Sequence, residues 1–174
     1  MRIIGVDPVL VCTGVGIIET PDSLKKTSQR GSAEFQFLQT LTLKPPSGDL
    51  SRRLIFLHRH LLDLIHQWQA DVMAVEDQFY GNNAQTAFKT GQARGAALLA
   101  AAYAEIPVML YPPARVKLAL VGNGRASKEQ VQHMVRQILA TNALPPSLDC
   151  SDALAVALCH AFSSAAKAQI SAQT

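Results

Sequence analysis

The chain has 174 residues, of which 48% are hydrophobic and 17% charged, and this length and composition predict one globular domain. Lys and Arg number 16 against 13 Asp and Glu, a formal charge of +3, which permits a polyanionic partner without requiring one. Cys12, Cys150 and Cys159 form no Cys-x-x-Cys pair, which argues against a disulfide framework and a thiolate zinc site. Because charge or proline interrupts the apolar runs and no export signal is evident, we expect a cytoplasmic protein without a membrane span.

The first half of the chain has the pattern of a strand meander followed by a crossover. Apolar runs at residues 2–6 and 13–20 predict two strands, and alternation of apolar with polar residues over 33–44 predicts a third. Helical spacing of apolar residues from Ser51 to Trp68 predicts a helix, and the buried strand after it ends at Glu76. A strand, helix, strand crossover implies a parallel pair of strands.

The second half alternates helices with one more strand. We predict a small-residue-rich helix over 82–106, a strand over 107–111, a helix over 127–139 with a Ser127 cap and Gln130 three residues on, and a last helix over 149–162. Residues 163–174 are small and polar, and we expect them to form a frayed tail after a single domain of residues 1–162. The fold class is therefore α/β, with a five-stranded mixed sheet of three antiparallel and two parallel strands and helices on both faces.

Four carboxylates stand at positions that this fold would bring together. Asp7 and Glu76 each end a strand, and ligands of open α/β sheets bind at the carboxyl edge. Asp149 and Asp152 share one face of the last helix's first turn. Taken singly, each acid also fits a turn, a solvated strand end or a helix cap. Together they would repel one another unless cations lay between them, and oxygen ligands favour Mg²⁺ or Mn²⁺ over zinc.

Such a site suits phosphodiester hydrolysis, in which two metal ions about 4 Å apart stabilise the attacking and leaving oxygens. With four of the 13 acids neutralised by metal, 16 basic residues would face 9 acidic ones. This basic surround favours a phosphate backbone as substrate. The five histidines show no metal-ligand spacing, and we expect them to be structural or solvent-facing.

Stretches along nearly the whole chain resemble the RuvC family of Holliday junction resolvases, whose fold is ribonuclease H-like. They are GVDP with TGVG at the start, VEDQFYGNNAQTAFKTGQARGAALLAA in the middle, GNGRASKEQVQHMV after it, and DCSDALAVALCH at the end. The middle and last stretches are specific together. The resemblance implies an endonuclease that resolves four-way DNA junctions by symmetric, metal-dependent hydrolysis during homologous recombination and DNA repair.

Carried over by position, the resemblance gives several residues a role. It makes four acids the catalytic metal ligands for two Mg²⁺ ions, with Mn²⁺ as a substitute: Asp7, Glu76, Asp149 and Asp152. The position of Asp149 is one where the family has Asp or His. Phe79 resembles an aromatic residue that contacts bases near the junction centre, although a core phenylalanine explains it equally well. Lys117 and Lys128 match family lysines that face DNA, and weaker candidates for phosphate contacts are Lys89, Arg94, Arg115 and Arg125. Solvated surface side chains are the alternative for each of them.

The resemblance also implies partners. The family acts as a homodimer, each subunit cutting one strand of a four-way junction, and works with the RuvA and RuvB branch-migration proteins. The stretch GQARGAALLAA corresponds to a helix of the family's dimer interface, where Gly91, Ala93, Gly95 and Ala96 would permit close helix approach. Packing within the chain's own core explains the same composition.

Two alternatives remain open. An aspartate followed by Thr-Gly-x-Gly also resembles the phosphate loop of actin-like phosphotransferases, although those enzymes need a second such domain and 174 residues leave no room for it. A junction-binding dimer without cleavage is the other alternative, because Val9 stands where the family usually has glycine after Asp-Pro. A β-branched residue disfavours φ > 0, so we expect Asp7 to keep its place while the loop after it differs.

Overall fold

A computed structural model describes residues 1–20, 35–77, 84–140 and 148–171, except for the side chains of residues 84, 148–149 and 167–171. Five strands and five helices occur in these ranges. In chain order they are β1 (Arg2–Asp7), β2 (Thr13–Glu19), β3 (Gln36–Leu43), α1 (Leu50–Trp68), β4 (Val72–Glu76), α2 (Ala84–Tyr103), β5 (Val108–Tyr111), α3 (Pro113–Val121), α4 (Lys128–Ile138) and α5 (Leu148–Ser171).

The strands form one mixed sheet in the order β3-β2-β1-β4-β5. Strand β2 is antiparallel to both β1 and β3, whereas β1 and β4, and likewise β4 and β5, are parallel. The predicted three-strand meander with two added parallel strands is therefore confirmed. Strand β1 lies at the centre, so the end of β1 and the end of β4 are neighbours at the same edge.

The two faces of the sheet are buried by different helices, as predicted. Ile4 and Val6 of β1 pack in a cluster with Leu57 of α1 and Ala97 of α2. Ile3 belongs to a second cluster, which contains buried residues of α3, α4 and α5. Side chains alternate along a strand, and consecutive residues of β1 therefore enter opposite halves of the core. None of the helices among the described residues is long and apolar enough to cross a bilayer.

Two glycines let helix α5 lie directly on the sheet. Gly5 and Gly16 are register partners in β1 and β2. A Cβ added at Gly5 would lie 2.1 Å from the carbonyl oxygen of Ala153, and one added at Gly16 would lie 2.7 Å from the Leu154 side chain. Any larger residue at either position would push α5 away from the sheet.

The helical regions differ from the sequence prediction at two places. Helix α3 was not predicted; it begins with Pro113 at a position that favours proline and ends at Gly122, whose φ of 77° terminates the helix. Helix α5 continues to Ser171, beyond the predicted end at residue 162, so the expected frayed tail is helical over residues 163–171. These residues contain neither Gly nor Pro and include alanines, which favour helix.

Candidate active site at the carboxyl edge of the sheet

Asp7 and Glu76 end neighbouring parallel strands. Val6 pairs with Val75, so the two acids that follow stand at equivalent places on β1 and β4, whose backbones lie about 4.8 Å apart. The register predicted to bring them together is present. Both are buried, with 4% and 8% of their surface exposed. Because side chains alternate, Asp7 lies on the same face as Gly5, the face that α5 covers.

A pocket on this face lies between the end of β4 and helices α3, α4 and α5. Its charged lining consists of Glu76, Lys117, Lys128 and Asp152. Its remaining lining consists of Pro113, Val116, Val131 and Ala155. The Lys128 ammonium donates a hydrogen bond of 2.8 Å to Oδ2 of Asp152. The Asp152 side chain is 15% exposed and that of Lys128 is 56% exposed, so the ion pair lies at the mouth of the pocket.

The local sequence fixes where Lys128 stands. Ser127 caps α4: its side chain accepts a hydrogen bond from the backbone N–H of Gln130, whose side chain accepts one from the Ser127 backbone N–H. This reciprocal capping box, predicted from the sequence, makes Lys128 the first residue of the helix. Val131 and Val135 of α4 are buried in the core. The helix start is thus held against α5 and directs Lys128 to Asp152.

The three described acids act together on Lys128. Its pKa is raised above the ordinary lysine value, chiefly by the hydrogen bond to Asp152, and further by the negative charges of Asp152, Asp7 and Glu76; partial burial opposes the shift. All three carboxylates are therefore within electrostatic reach of one ammonium group. The family resemblance assigned Lys128 to DNA, and the sequence around Lys128 gives no sign of this ion pair.

Two carbonyl oxygens in the loop after Asp7 accept hydrogen bonds from side chains. The Val9 oxygen accepts a hydrogen bond of 2.8 Å from the Thr13 hydroxyl. Arg53 of α1 donates one of 2.9 Å to the Leu10 oxygen, a contact that the sequence did not reveal. Val9 is not among the non-glycine residues with positive φ in the described chain, so this loop needs no glycine there. The expectation that the loop differs from that of the family stays a prediction.

The other residues assigned to DNA fall into two groups. Arg115 and Arg125 are exposed on α3 and in the turn before α4, on the same side as Lys117 and Lys128. Lys89 and Arg94 belong to α2, on the other face of the sheet. Arg94 forms an ion pair with Asp77, which directly follows β4.

Two residues of the predicted site lie outside what the structure describes. Phe79 is not among the described residues, and for Asp149 the structure describes the backbone within the first turn of α5 but not the side chain. The roles predicted for both therefore stay predictions. His160 is buried, and its Nδ1 lies 2.8 Å from the Tyr111 hydroxyl, which agrees with a structural role.

The donor chemistry of the site fits a hard divalent cation. Asp7, Glu76 and Asp152 offer only carboxylate oxygens, the ligands that Mg²⁺ and Mn²⁺ prefer. Two adjacent buried carboxylates also require positive charge nearby. Within the described side chains, no three His, Cys, Asp or Glu residues are close enough to hold one ion. The site offers carboxylate ligands of the kind that Mg²⁺ prefers, but these side chains do not surround one point, and Asp152 is paired with Lys128.

Comparison with known proteins finds relatives that match most of the chain. The family model described as crossover junction endodeoxyribonuclease RuvC matches residues 3–160. A protein of that name from Desulforamulus reducens is 43% identical over 161 residues, covering 92% of this chain and 93% of the relative. The one from Thermomicrobium roseum is 41% identical over 160 residues, covering 92% of each.

Solved structures of Holliday junction resolvases are also similar to this chain. Thermus thermophilus RuvC in complex with Holliday junction substrate is 34% identical, with a TM-score of 0.85 and coverage of 97% of both chains. The yeast mitochondrial Holliday junction resolvase Ydc2 is 10% identical with a TM-score of 0.66, covering 96% of this chain and 81% of Ydc2, and shows the shared fold alone. A mixed five-stranded sheet with acids at the carboxyl ends of its central strands defines a protein of the ribonuclease H-like class. Within that class, the chain belongs to the RuvC family.

Proposed function

We propose that this protein is a metal-dependent endonuclease that resolves four-way DNA junctions. The observation that carries the proposal is the placement of Asp7 and Glu76 side by side at the carboxyl edge, with Asp152 bordering the same pocket as Glu76. The proposal is also supported by the family to which the chain belongs, since relatives in that family are named crossover junction endodeoxyribonucleases. One structural relative was solved with a Holliday junction substrate.

The acids would hold the metal. The four ligands in this proposal are Asp7, Glu76, Asp149 and Asp152, and Mg²⁺ is the proposed ion. Bound at this site, two such ions would supply a water activated for in-line attack and stabilise the departing 3′ oxygen. Asp7 and Glu76 are fixed by the two central strands, so they would keep their positions while the substrate changes. No protein nucleophile is required.

Basic residues around the pocket would hold the DNA backbone. Lys117 borders the pocket, and Arg115 and Arg125 are exposed on the elements that flank it. Phosphate contacts from these side chains would place a scissile phosphate over the acids without reading sequence. Lys89 and Arg94 belong to α2 on the other face of the sheet and would contact DNA from that side; Arg94 pairs with Asp77, the residue after Glu76. Phe79 would stack on bases near the junction centre.

The protein would act as a homodimer through helix α2. An apolar stripe on this helix consists of Phe88, the half-buried Gly95, Leu99 and Tyr103; the three large residues are 70%, 57% and 73% exposed. Residues at this spacing share one helix face, and contiguous exposed apolar surface marks interaction sites. Ala93 and Ala96 are buried in the chain's own core, so close approach of a partner helix would use Gly91 and Gly95 instead.

RuvA and RuvB branch-migration proteins, and a cytoplasmic location, complete the proposal. They follow from the family resemblance and from the DNA substrate. The non-cleaving dimer is the competing function for this fold. Only a cleavage assay separates a nuclease from a protein that binds junctions without cutting them.

The decisive experiment changes one acid at the carboxyl edge and one at the opposite end of the sheet. Asp7→Asn should abolish nicking of a mobile four-way junction in Mg²⁺ or Mn²⁺ while the junction still shifts in a native gel. Asp71→Asn is the matched control, because Asp71 lies just before β4 at its amino end, where its carboxylate accepts a hydrogen bond from the Arg2 backbone. This variant should cut like the wild type.

Two outcomes would contradict the proposal. Full cleavage by Asp7→Asn would refute the metal mechanism. A wild-type protein that shifts the junction but never nicks it would be the non-cleaving binder. Plain duplex and Y-forks belong in the same assay, since equal cutting of all three substrates would refute junction specificity while leaving the nuclease intact.

A further inference from the structure

Lys128 stands at an electrostatically unfavourable place for a cation. It is the first residue of α4, and the amino end of a helix carries partial positive charge. The capping box at Ser127 holds it there. Its compensation comes from Asp152, with the negative charges of Asp7 and Glu76 contributing. The positive charge of Lys128 is therefore stabilised by the acid cluster and not by the helix on which the residue lies.

We propose that the Lys128 ammonium is a built-in counter-ion that competes with the divalent metal for Asp152, so that metal binding displaces Lys128. The inference rests on the proposed function, in which Asp152 is a metal ligand. The Nζ atom lies 2.8 Å from Oδ2 of Asp152. An ion that coordinates this oxygen at roughly 2.1 Å would lie close to the ammonium, and the two positive charges would repel each other.

The geometry gives the displaced ammonium somewhere to go. The Lys128 side chain is 56% exposed, so it can turn toward solvent or toward a phosphate of bound DNA without disturbing the core. Asp152 is 15% exposed and is held on α5, close to the sheet. The carboxylate of Asp152 is thus held near the sheet, whereas the exposed ammonium group of Lys128 has room to move. Until metal binds, the lysine offsets the repulsion among the acids, and afterwards the metal does.

Metal binding tests this directly, without any cleavage. Mn²⁺ is titrated into the full-length protein in the absence of DNA, and free Mn²⁺ is followed by electron paramagnetic resonance. Lys128→Met should bind Mn²⁺ about fivefold more tightly than the wild type, the effect of removing one partly exposed competing ion pair. Lys128→Arg, which keeps the charge, should bind Mn²⁺ much as the wild type does.

Lys117→Met is the matched control. Lys117 lines the same pocket but forms no ion pair within the part of the chain that the structure describes. Its removal should change Mn²⁺ affinity less than that of Lys128. In an Asp152→Asn background, Lys128→Met should no longer tighten binding, because the group in competition is gone.

The results separate this inference from the function on which it rests. If Asp7→Asn does not weaken Mn²⁺ binding, the proposed metal site itself is wrong. If Asp7→Asn weakens binding but Lys128→Met leaves affinity unchanged or lowers it, only the competition is wrong. An equal gain from Lys117→Met would also overturn the competition, since it would show a general effect of charge in the pocket.

Discussion

Gly5 lies where strand β1 passes beneath helix α5, and Gly5→Ala tests whether that close approach positions the active site. The nearest atom to an added Cβ is the Ala153 carbonyl oxygen, at 2.1 Å. Asp152 directly precedes Ala153 on the helix. A backbone oxygen has no rotamer by which to move aside, so the helix itself must shift.

The structure sets the size of the effect. Restoring even a 3.0 Å separation requires α5 to retreat by about 0.9 Å at this point. Overpacking of this kind costs about 1 to 3 kcal/mol, and we expect the upper end because the contact is with backbone. A displacement of about 1 Å in a catalytic group can lower the rate about 100-fold. Gly5→Ala should therefore lose about 3 kcal/mol of unfolding free energy and most of its cleavage rate.

Urea unfolding at fixed protein concentration measures the first quantity, and cleavage of a four-way junction in Mg²⁺ measures the second. Leu118→Ala is the control for stability, because Leu118 is 57% exposed on α3. Surface substitutions usually change the unfolding free energy by less than about 0.5 kcal/mol, so this variant should unfold much like the wild type. A Gly5→Ala protein that unfolds and cleaves like the wild type would refute the reasoning.

Two further predictions concern the α2 stripe and the buried Tyr111. Leu99→Glu should convert the proposed dimer to monomers in analytical ultracentrifugation, whereas Leu118→Glu, equally exposed at 57% but on α3, should remain dimeric; loss of the dimer in both would contradict an α2 interface. Tyr111→Phe should cost about 1 kcal/mol at neutral pH, because it removes the hydroxyl partner of His160. Burial, and secondarily the charge of Cys159, raises the pKa of Tyr111. The stabilising contribution of the protonated Tyr111 hydroxyl is therefore fully present below the ordinary pKa of 10.0 and is lost as pH rises through the raised pKa. Urea unfolding at about pH 8 and above pH 10 should show the difference between wild type and Tyr111→Phe shrinking, and a constant difference would show that the phenol does not contribute in this way.

The strand meander and the α4 start were predictable because their causes are local. Apolar runs define β1 and β2, alternation of apolar with polar residues defines β3, and Ser127 with Gln130 defines a helix start whatever the rest of the chain does. Helix α3 was missed because nine residues give little periodicity, and its only signs in the sequence were the proline at its start and Gly122 after its end. The end of α5 was misplaced because small polar residues suggest a tail, although the helix continues through them.

The lysine at the active site shows where local reasoning ends. The sequence resemblance assigned Lys128 to DNA, and nothing in the residues around it indicates Asp152 as its partner, since 24 positions separate them. Only the packing of α4 against α5 brings the two together. The ion pair between Arg94 and Asp77 likewise depends on the tertiary structure, which places α2 beside the end of β4.

The sequence by itself determined the family and the hydrophobic pattern of each strand, and it supplied the candidate acids, because these are carried by residue type and spacing. It placed Asp7 and Glu76 together through one rule, that parallel strands end at the same edge. The tertiary structure decided how α5 reaches that edge, through the space that Gly5 and Gly16 leave, and which cation faces Asp152. Those features depend on distances between elements far apart in the chain, which no local pattern encodes.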